Sequence, residues 1–537
     1  MHSKILALAA VGLVAVALNA PAGDNGTAEA KGAAASGTVA MFGGSPSRNM
    51  INLHDKNPPT SWKVPTKDEP AGENILWSAK LGSRAYGGPT VAGGKIYIGT
   101  NNNSWRNPRD ARKRKDGKME QIDKGVLMCF EEKTGKFLWQ HVNDKLEIGQ
   151  VCDWPNEGVC STPTVEGNRV YYVSNRCEVN CLDANGLADG NQGVTDEKYK
   201  DATDADVIWR FDMMKELNVF PHNMSACCPL IVGDTLFIVT GNGVDEGHIN
   251  LPSPDAPSFI ALDKHTGKLL WRDNSPGKNI MHGQWSNPTL LEVAGKQQIL
   301  FPGGDGWLRS LEPKDGKVIW RFDANPKTSK YDLGGKGTRS DFIATPVFHG
   351  GRVYIGTGQD PEHFEGVGHL YCIDPTKKGD VSPELVTKDD PDPAKRQTKV
   401  NGNSAVIWHF GGPETNPQAA GRDYVFGRTM STCAVHDGLV YACDLAGIMH
   451  CLDANTGKLY WKHDMKGAVW GSPMWIDGKV YIATEDGDVY IYTHGKEKKD
   501  PIKVEMEGKT IKGTPVMVNG VLYVMTETDL YAIKAKK

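Results

Sequence analysis

The chain has 537 residues, 39% hydrophobic and 23% charged, which is the composition of a globular protein rather than a disordered or membrane-embedded one. Its formal net charge of -4 lacks the basic excess that non-specific nucleic-acid binding requires, so we expect no nucleic-acid partner. The 61 glycines and 31 prolines favour a fold with many tight turns, and therefore β-structure over long helices.

The first segment of the chain is typical of a signal peptide. His2 and Lys4 precede an apolar run over 5–18, which is too short to span a bilayer but suits the core of an export signal. Small residues at Ala20-Pro21-Ala22 offer a cleavage site. We therefore predict a signal peptide over 1–22, a leader and entry segment over 23–74, a periplasmic or otherwise exported protein, and no transmembrane span after signal removal.

A short pattern then recurs eight times: a proline followed, four and five residues later, by a turn pair such as Gly93-Gly94 or Asn519-Gly520. Such pairs favour two-residue hairpin turns. Because proline cannot donate to a β-ladder, its recurrence at one position indicates an edge strand, such as the innermost strand of a propeller blade. The prolines are Pro89, Pro163, Pro229, Pro288 (with a longer loop), Pro346, Pro473 and Pro515, and Cys433 takes this place in the remaining copy.

A second pattern, an apolar strand, a glycine turn and a strand closed by tryptophan, supplies the outer half of most blades, and the segment 502–506, which has no tryptophan, takes this place in one of them. One tryptophan-closed strand, ending at Trp77, precedes the first inner strand, so it should pair with C-terminal strands and close the ring. We predict an all-β, eight-bladed propeller of four-stranded antiparallel blades over 75–537, with Trp77 and Tyr523 in one blade. Long insertions fall at one end of the ring, which we expect to be the working face.

The eleven cysteines suit an oxidising compartment and predict at least one disulfide. The closely spaced pairs are Cys152 with Cys160, Cys177 with Cys181, and Cys227 with Cys228. The scattered remainder are expected to be buried thiols. The sequence contains no C-x-x-C-H motif, so we expect no covalently attached haem.

The repeat D-x-x-T-G-K-x-x-W, matched in full at 263–271 and 453–461, resembles that of the quinoprotein alcohol dehydrogenase-like propellers. The resemblance covers about 75–537, and the repeat is also similar to that of the outer-membrane assembly lipoprotein propeller, which has no cofactor. In the dehydrogenases a Thr-Gly-Asn turn supplies a ligand to Ca²⁺, which polarises pyrroloquinoline quinone beneath a disulfide of adjacent cysteines. The resemblance implies these roles for Asn242, Cys227 and Cys228, with the cysteines displaced onto an inner strand.

The chain departs from the dehydrogenase pattern at two places. The segment Met281-His282-Gly283-Gln284-Trp285 stands where the catalytic aspartate is expected, and Gly303-Gly304-Asp305-Gly306-Trp307 stands where an arginine lies beside the quinone. A dehydrogenase needs a base to take the alcohol proton and positive charge to hold the quinone. These losses favour an exported binding or scaffold module, for an unknown protein or small-molecule ligand on the loop-rich face.

The alternative is an alcohol or sugar oxidoreductase with an altered quinone site. In that case His282 or Asp341 replaces the missing base, and Asn242 with Glu246 holds the cation. Arg339 and Arg428 would bind an anionic group at the channel mouth or pair with Asp341, and Trp285, Trp307 and Trp470 would stack on a flat ligand or fill gaps between blades.

Two loops of the working face are rich in metal-compatible residues, which either hold Ca²⁺ or a transition metal or simply face water. They are Asp245, Glu246 and His248 in the third blade, and Asp360, Glu362, His363, Glu365 and His369 in the fifth.

Overall fold

The computed structural model describes residues 37–359, 361–363 and 365–535, so the predicted signal peptide and the first part of the leader lie outside the described residues. Eight antiparallel sheets form a closed ring, which confirms the predicted all-β, eight-bladed propeller. Within the described ranges, no helix is long and apolar enough to cross a membrane.

In each blade, strands A to D run outward from the central channel. The strands are, for blade 1, Thr90–Ala92, Lys95–Asn101, Lys124–Glu131 and Phe137–Asp144; blade 2, Thr164–Glu166, Arg169–Val173, Glu178–Asp183 and Val207–Asp212; blade 3, Leu230–Val232, Thr235–Val239, Phe259–Asp263 and Leu269–Asp273; and blade 4, Thr289–Val293, Lys296–Pro302, Trp307–Leu311 and Val318–Asp323. They continue, for blade 5, with Val347–His349, Arg352–Gly356, His369–Ile373 and Val406–Pro413; blade 6, Ala434–His436, Leu439–Cys443, Ile448–Asp453 and Leu459–Asp464; blade 7, Met474–Ile476, Lys479–Ala483, Asp488–Thr493 and Ile502–Glu505; and blade 8, Val516–Val518, Val521–Met525, Asp529–Ile533 and Ile75–Lys80.

The remaining elements are short and decorate the ring. They are strands Ile51–Asn52, Ala111–Lys113, Met119–Gln121, Gly379–Asp380, Glu384–Lys388, Gln397–Val400 and Tyr424–Phe426, α-helices Met213–Leu217 and Pro417–Ala420, and 3₁₀ turns Asn102–Ser104, Pro108–Asp110, Gln150–Cys152, Gly186–Asp189, Gly277–Asn279, Pro361–His363 and Pro393–Lys395.

The inner strands lie where the proline pattern places them. Pro89 and Pro515 each come directly before the first residue of strand A, as do the other prolines of the series and Cys433. The turn pair Asn519-Gly520 has φ values of 55° and 72°, the left-handed geometry of a tight hairpin turn. The pattern therefore fixes both the edge position of strand A and its direction.

Tryptophans of the outer strands join neighbouring blades. The Trp209 indole Nε1 donates to the carbonyl oxygen of Lys264 in the next blade at 3.0 Å. Gly267 lies against the same ring at a φ of 71°, and a Cβ there would approach the ring to 2.5 Å. The D-x-x-T-G-K turn thus supplies a glycine surface on which the preceding blade's tryptophan packs.

Ring closure follows the predicted arrangement. Strand Ile75–Lys80 pairs antiparallel with Asp529–Ile533 in blade 8. The rings of Trp77 and Tyr523 lie 6.0 Å apart, centroid to centroid. The first and last strands of the propeller therefore share one sheet, which leaves no gap between blades 8 and 1.

Residues 39–52, which we call the N-terminal strap, cross the channel near the A–B turns. The strap hydrogen-bonds to the inner strands of seven blades and, in blade 3, to residues directly before the inner strand. Its contacts from blade 1 to blade 8 are Val91, Val165, Cys228, Leu290, Phe348, Val435, Trp475 and Met517. The predicted entry segment is therefore an ordered part of the hub, and it satisfies edge groups that would otherwise face the channel.

Arg48 anchors the strap. Its side chain is fully buried and donates to four carbonyl oxygens, those of Phe42, Cys228, Pro229 and Pro288, at 3.0–3.1 Å. Burial lowers the pKa of its guanidinium below the ordinary value. The backbone carbonyls of blades 3 and 4 supply the compensating interactions.

The expectation of a disulfide is not met, because all eleven cysteines are thiols. The neighbours Cys227 and Cys228 have different surroundings: the Cys227 sulfur accepts from the Val239 amide at 3.3 Å inside the blade core, and the Cys228 sulfur accepts from the Thr162 amide at 3.4 Å beside the channel. The two sulfurs therefore lie in different surroundings, one in the core of the blade and the other against the channel cavity. Burial raises the pKa of Cys227 to about 12, so it is a protonated, unreactive thiol at neutral pH.

Candidate functional site

The central channel contains a cavity of about 370 Å³. Residues just before the inner strands of all eight blades form its wall, and Phe42 of the strap contributes to its lining. The side chains Tyr86, Trp154, Trp285 and Trp470 give that wall a strongly aromatic character. A concave, mostly apolar site of this size suits a small organic molecule.

Charge in the cavity is limited and largely compensated. Lys512 Nζ lies 4.4 Å from the ring centroid of Trp470 and 4.7 Å from that of Tyr86, and it pairs with Glu527 at 3.2 Å. Glu157 and Glu362 also belong to the lining. The cavity is therefore not built to hold a molecule with several negative charges.

Beside the cavity, three histidines converge on the working face. His222 comes from the D–A loop before blade 3, His248 from the B–C loop of blade 3, and His282 from the D–A loop before blade 4. Each offers one ring nitrogen such that all three nitrogens lie within 4.8 Å of one another. His222 and His282 are only 1% and 2% exposed, and His248 is half-buried.

Glycines and backbone hydrogen bonds hold these loops together. The Val244 amide donates to the carbonyl oxygen of His282 at 3.0 Å, so two of the loops are joined directly. A Cβ on Gly243 would meet the His282 carbonyl oxygen at 2.4 Å, and one on Gly334 would meet His248 Cβ at 2.6 Å. The loops therefore approach closely only because these positions lack side chains.

Trp285 separates the histidines from the cavity. Its indole Nε1 donates to the His222 carbonyl oxygen at 3.1 Å, and its ring centroid lies 5.3 Å from that of His282 in edge-on geometry. A fourth imidazole, His363, packs against His282 with centroids 4.8 Å apart and interacts through Nε2 with the Gly334 carbonyl oxygen. The aromatic cavity and the histidine cluster thus share one wall.

The side chains proposed as cation ligands, those of Asn242 and Glu246, hydrogen-bond to groups other than the three histidines. Asn242 is fully buried, its Oδ1 accepts from the Phe220 amide at 3.0 Å, and its Nδ2 donates to the Ser253 carbonyl oxygen at 2.8 Å. Glu246 is exposed and accepts from Gln150 Nε2 at 2.6 Å. The Asn242 carboxamide therefore braces its loop, and the structure does not bring these two side chains together.

The two arginines proposed to bind an anion, and the aspartate proposed as a catalytic base, make contacts with neighbouring parts of the protein. Arg339 donates to the Asp305 carbonyl oxygen at 2.9 Å and pairs with Asp323 at 2.6 Å. Arg428 donates to the His363 carbonyl oxygen at 2.9 Å. Asp341 is buried, and its carbonyl oxygen accepts from the Gly358 amide at 3.0 Å. None of these three side chains belongs to the lining of the cavity.

Sequence reasoning singled out His248, His282 and His363 separately but missed His222. His222 follows Pro221 in the loop before blade 3, and a single histidine there has no spacing motif. His222 directly precedes Asn223 and Met224, which line the cavity, and this adjacency is the signal that could have pointed to it. Of the tryptophans considered as ligand-stacking residues, Trp285 and Trp470 line the cavity and Trp307 does not.

The fold is an eight-bladed propeller of the quinoprotein-like repeat class. The closed ring, the tryptophans that dock on the next blade and the central channel are its defining features. A family model described as outer membrane protein assembly factor BamB matches residues 123–397 and 398–537, and the chain belongs to this family.

Individual relatives are distant. Tetrathionate hydrolase from Acidithiobacillus ferrooxidans is 22% identical over 350 residues, which cover 56% of this chain and 62% of that protein, so the chain spans under two thirds of its length. The structure is similar to a europium-containing methanol dehydrogenase, with a TM-score of 0.58 and 12% identity over 93% of this chain and 98% of the other. BamB from Moraxella catarrhalis gives a TM-score of 0.48 at 12% identity, covering 86% and 97% of the two chains.

Proposed function

We propose that this propeller is an exported binding module that takes a small, largely aromatic molecule in its central cavity. The observation that carries the proposal is the convergence of aromatic side chains from several blades on one cavity of about 370 Å³. Ligand pockets of roughly 300–1,000 Å³ with apolar walls and few polar groups are typical of small-molecule sites. The export signal expected over 1–22 and the family's name support an exported location.

The cavity selects for a flat ligand with little negative charge. Tyr86, Trp285 and Trp470 offer ring faces or edges for stacking, each worth about 0.5–1.5 kcal/mol beyond simple burial. Lys512 is the cation of the lining, and its charge is already neutralised by Glu527. A neutral aromatic compound therefore matches the wall better than a polycarboxylate does.

The alternative function, quinone-dependent oxidation, is poorly supported by the side chains available to bind Ca²⁺ and the quinone. Ca²⁺ requires six to eight oxygen ligands, but both side-chain atoms of Asn242 are engaged by backbone groups and Glu246 is exposed elsewhere. Arg339 is paired with Asp323, so it does not compensate quinone carboxylates. The residues present do not fit pyrroloquinoline quinone with Ca²⁺, and we derive no step through that cofactor.

Fluorescence titration with a neutral aromatic probe, N-phenyl-1-naphthylamine, tests the proposal. Trp470→Ala removes a stacking face of the cavity, and we expect about tenfold weaker binding of the probe, the equivalent of about 1.4 kcal/mol. Trp307→Ala is the matched control, because Trp307 is also half-buried but lies outside the lining. No binding to the native protein, or equal affinity in both variants, would refute the proposal.

Thermal unfolding with pyrroloquinoline quinone, with and without Ca²⁺, separates the two functions. A ligand that binds only the native state must raise the unfolding temperature. We expect no calcium-dependent stabilisation by the quinone. Stabilisation that requires Ca²⁺ and is lost in Asn242→Ala would replace the binding-module proposal with the oxidoreductase.

A further inference from the structure

We propose that His222, His248 and His282 form a binding site for one late first-row divalent metal ion, such as Zn²⁺ or Cu²⁺. The site is a separate feature from the aromatic cavity, and it stands or falls independently of the function proposed above. Imidazole is a preferred ligand of these ions, whereas Ca²⁺ and Mg²⁺ prefer oxygen.

The distances suit a single ion after small side-chain rotations. Zn–N bonds of about 2.0–2.1 Å in tetrahedral geometry place ligand nitrogens about 3.4 Å apart. The Nε2 atoms of His248 and His282 are already 2.8 Å apart, and the third nitrogen lies within 4.8 Å of both. At this separation one imidazole N–H donates a hydrogen bond to the other ring nitrogen. A bound ion would replace the hydrogen that the two nitrogens share.

His222 is oriented in the manner of a metal ligand. Its Nδ1 lies 2.8 Å from the Val244 carbonyl oxygen, which only accepts, so Nδ1 carries the proton and donates. The proton-free nitrogen is therefore Nε2. Metal-ligating histidines almost always donate their other ring N–H to a carbonyl or carboxylate in this way, which fixes both tautomer and ring orientation.

The surrounding backbone is shaped to bring the three rings together. Gly243, in the loop that carries His248, lets this loop approach the His282 carbonyl oxygen and the His222 Cβ, and the absence of a Cβ at Gly334 leaves room for the His248 Cβ. His248 is half-buried, whereas the other two rings are buried, so an ion can enter from the working face and retain an open coordination position there. Three protein ligands with one open position are typical of exchangeable or reactive zinc sites.

A second histidine pair in the protein provides an internal comparison. His369 Nδ1 and His409 Nε2 lie 2.9 Å apart in blade 5, close to the separation of the His248–His282 pair. Among the residues that the structure describes, the group with three converging metal-compatible ligands is the His222 cluster, and the blade 5 pair does not belong to it. The number of converging nitrogens, not the presence of paired histidines, distinguishes the proposed site.

The test is metal binding by the full-length protein. After treatment with a chelator and dialysis, the protein is titrated with Zn²⁺ and with Cu²⁺ by calorimetry, and bound metal is counted by elemental analysis. Visible absorption of Co²⁺ added alone reports whether the ion has a tetrahedral environment. We expect one ion per chain and at least about 100-fold weaker binding in His222→Ala and His282→Ala.

His409→Ala is the control, because it removes half of the comparison pair and should leave affinity and stoichiometry unchanged. If the two buried-site variants do not fold, judged by thermal unfolding, His248→Gln changes only the half-buried ligand and should weaken binding in the same direction. Absence of stoichiometric binding to the native protein, or binding unaffected by His248→Gln, would overturn the proposal.

Discussion

Packing between blades depends on glycine at the tryptophan contact, and Gly267→Ala tests this dependence. Gly267 has a φ of 71°, and an added Cβ would lie 2.5 Å from the Trp209 ring. The matched control is Gly478→Ala, where φ is 77° and nothing lies within 4 Å of the added Cβ. Both changes carry the cost of left-handed backbone for alanine, about 1–2 kcal/mol, but only Gly267→Ala also forces the ring to move.

Overpacking of this kind costs about 1–3 kcal/mol, so the free energy of unfolding should fall by about 2–5 kcal/mol in Gly267→Ala and by about 1–2 kcal/mol in Gly478→Ala. Urea unfolding followed by tryptophan fluorescence and circular dichroism gives the midpoints to compare. In a Trp209→Leu background the difference between the two alanine variants should shrink, because the clashing ring is absent. Equal midpoint shifts in the native background would refute the idea that the glycine exists to seat the indole.

Three further outcomes follow from the fold. Removal of residues 508–537 deletes three strands of blade 8 and should cause association through the exposed edges, measured by light scattering; a monomeric, equally heat-resistant product would contradict ring closure. Arg48→Met should lower the free energy of unfolding by about 2–4 kcal/mol, since four carbonyl hydrogen bonds are lost while burial of a charge is relieved, and an unchanged urea midpoint would contradict this. Burial lowers the pKa values of His141, His369 and His450 to about 4, so the unfolded chain binds more protons between about pH 6.5 and 4; stability should fall as pH falls through that window, whereas a flat profile of urea midpoints would exclude neutral buried imidazoles.

The blades were predictable because their signals are local and repeated. A proline before seven of the eight inner strands, left-handed turn pairs such as Asp477-Gly478 and the closing tryptophans are each local signals, and their repetition around the ring reinforces the interpretation. Pairing of Trp77 with blade 8 followed from counting inner against outer strands. The closure of the ring could therefore be inferred from the sequence, although the contact that marks it, between Trp77 and Tyr523, joins opposite ends of the chain.

The strap and the histidine cluster were not predictable in the same way. Residues 39–52 lack any repeat, and their hydrogen bonds go to residues in or directly before the inner strands of all eight blades, which are far away in sequence. The three histidines come from three different loops, so their convergence depends on the angle between blades 3 and 4. The adjacent cysteines suggested a disulfide by resemblance, but the sulfurs of Cys227 and Cys228 accept hydrogen bonds from different parts of the fold.

The strap also has a consequence for the order of folding. Asn52 bonds to the Met517 carbonyl oxygen, across 465 positions of sequence, so the last surface that receives the strap is made long after the strap itself. During synthesis the strap has no complete hub to occupy, and contacts of such high sequence separation form slowly. Docking of the strap is therefore expected late in maturation, although the strap is among the first of the described segments to be synthesised.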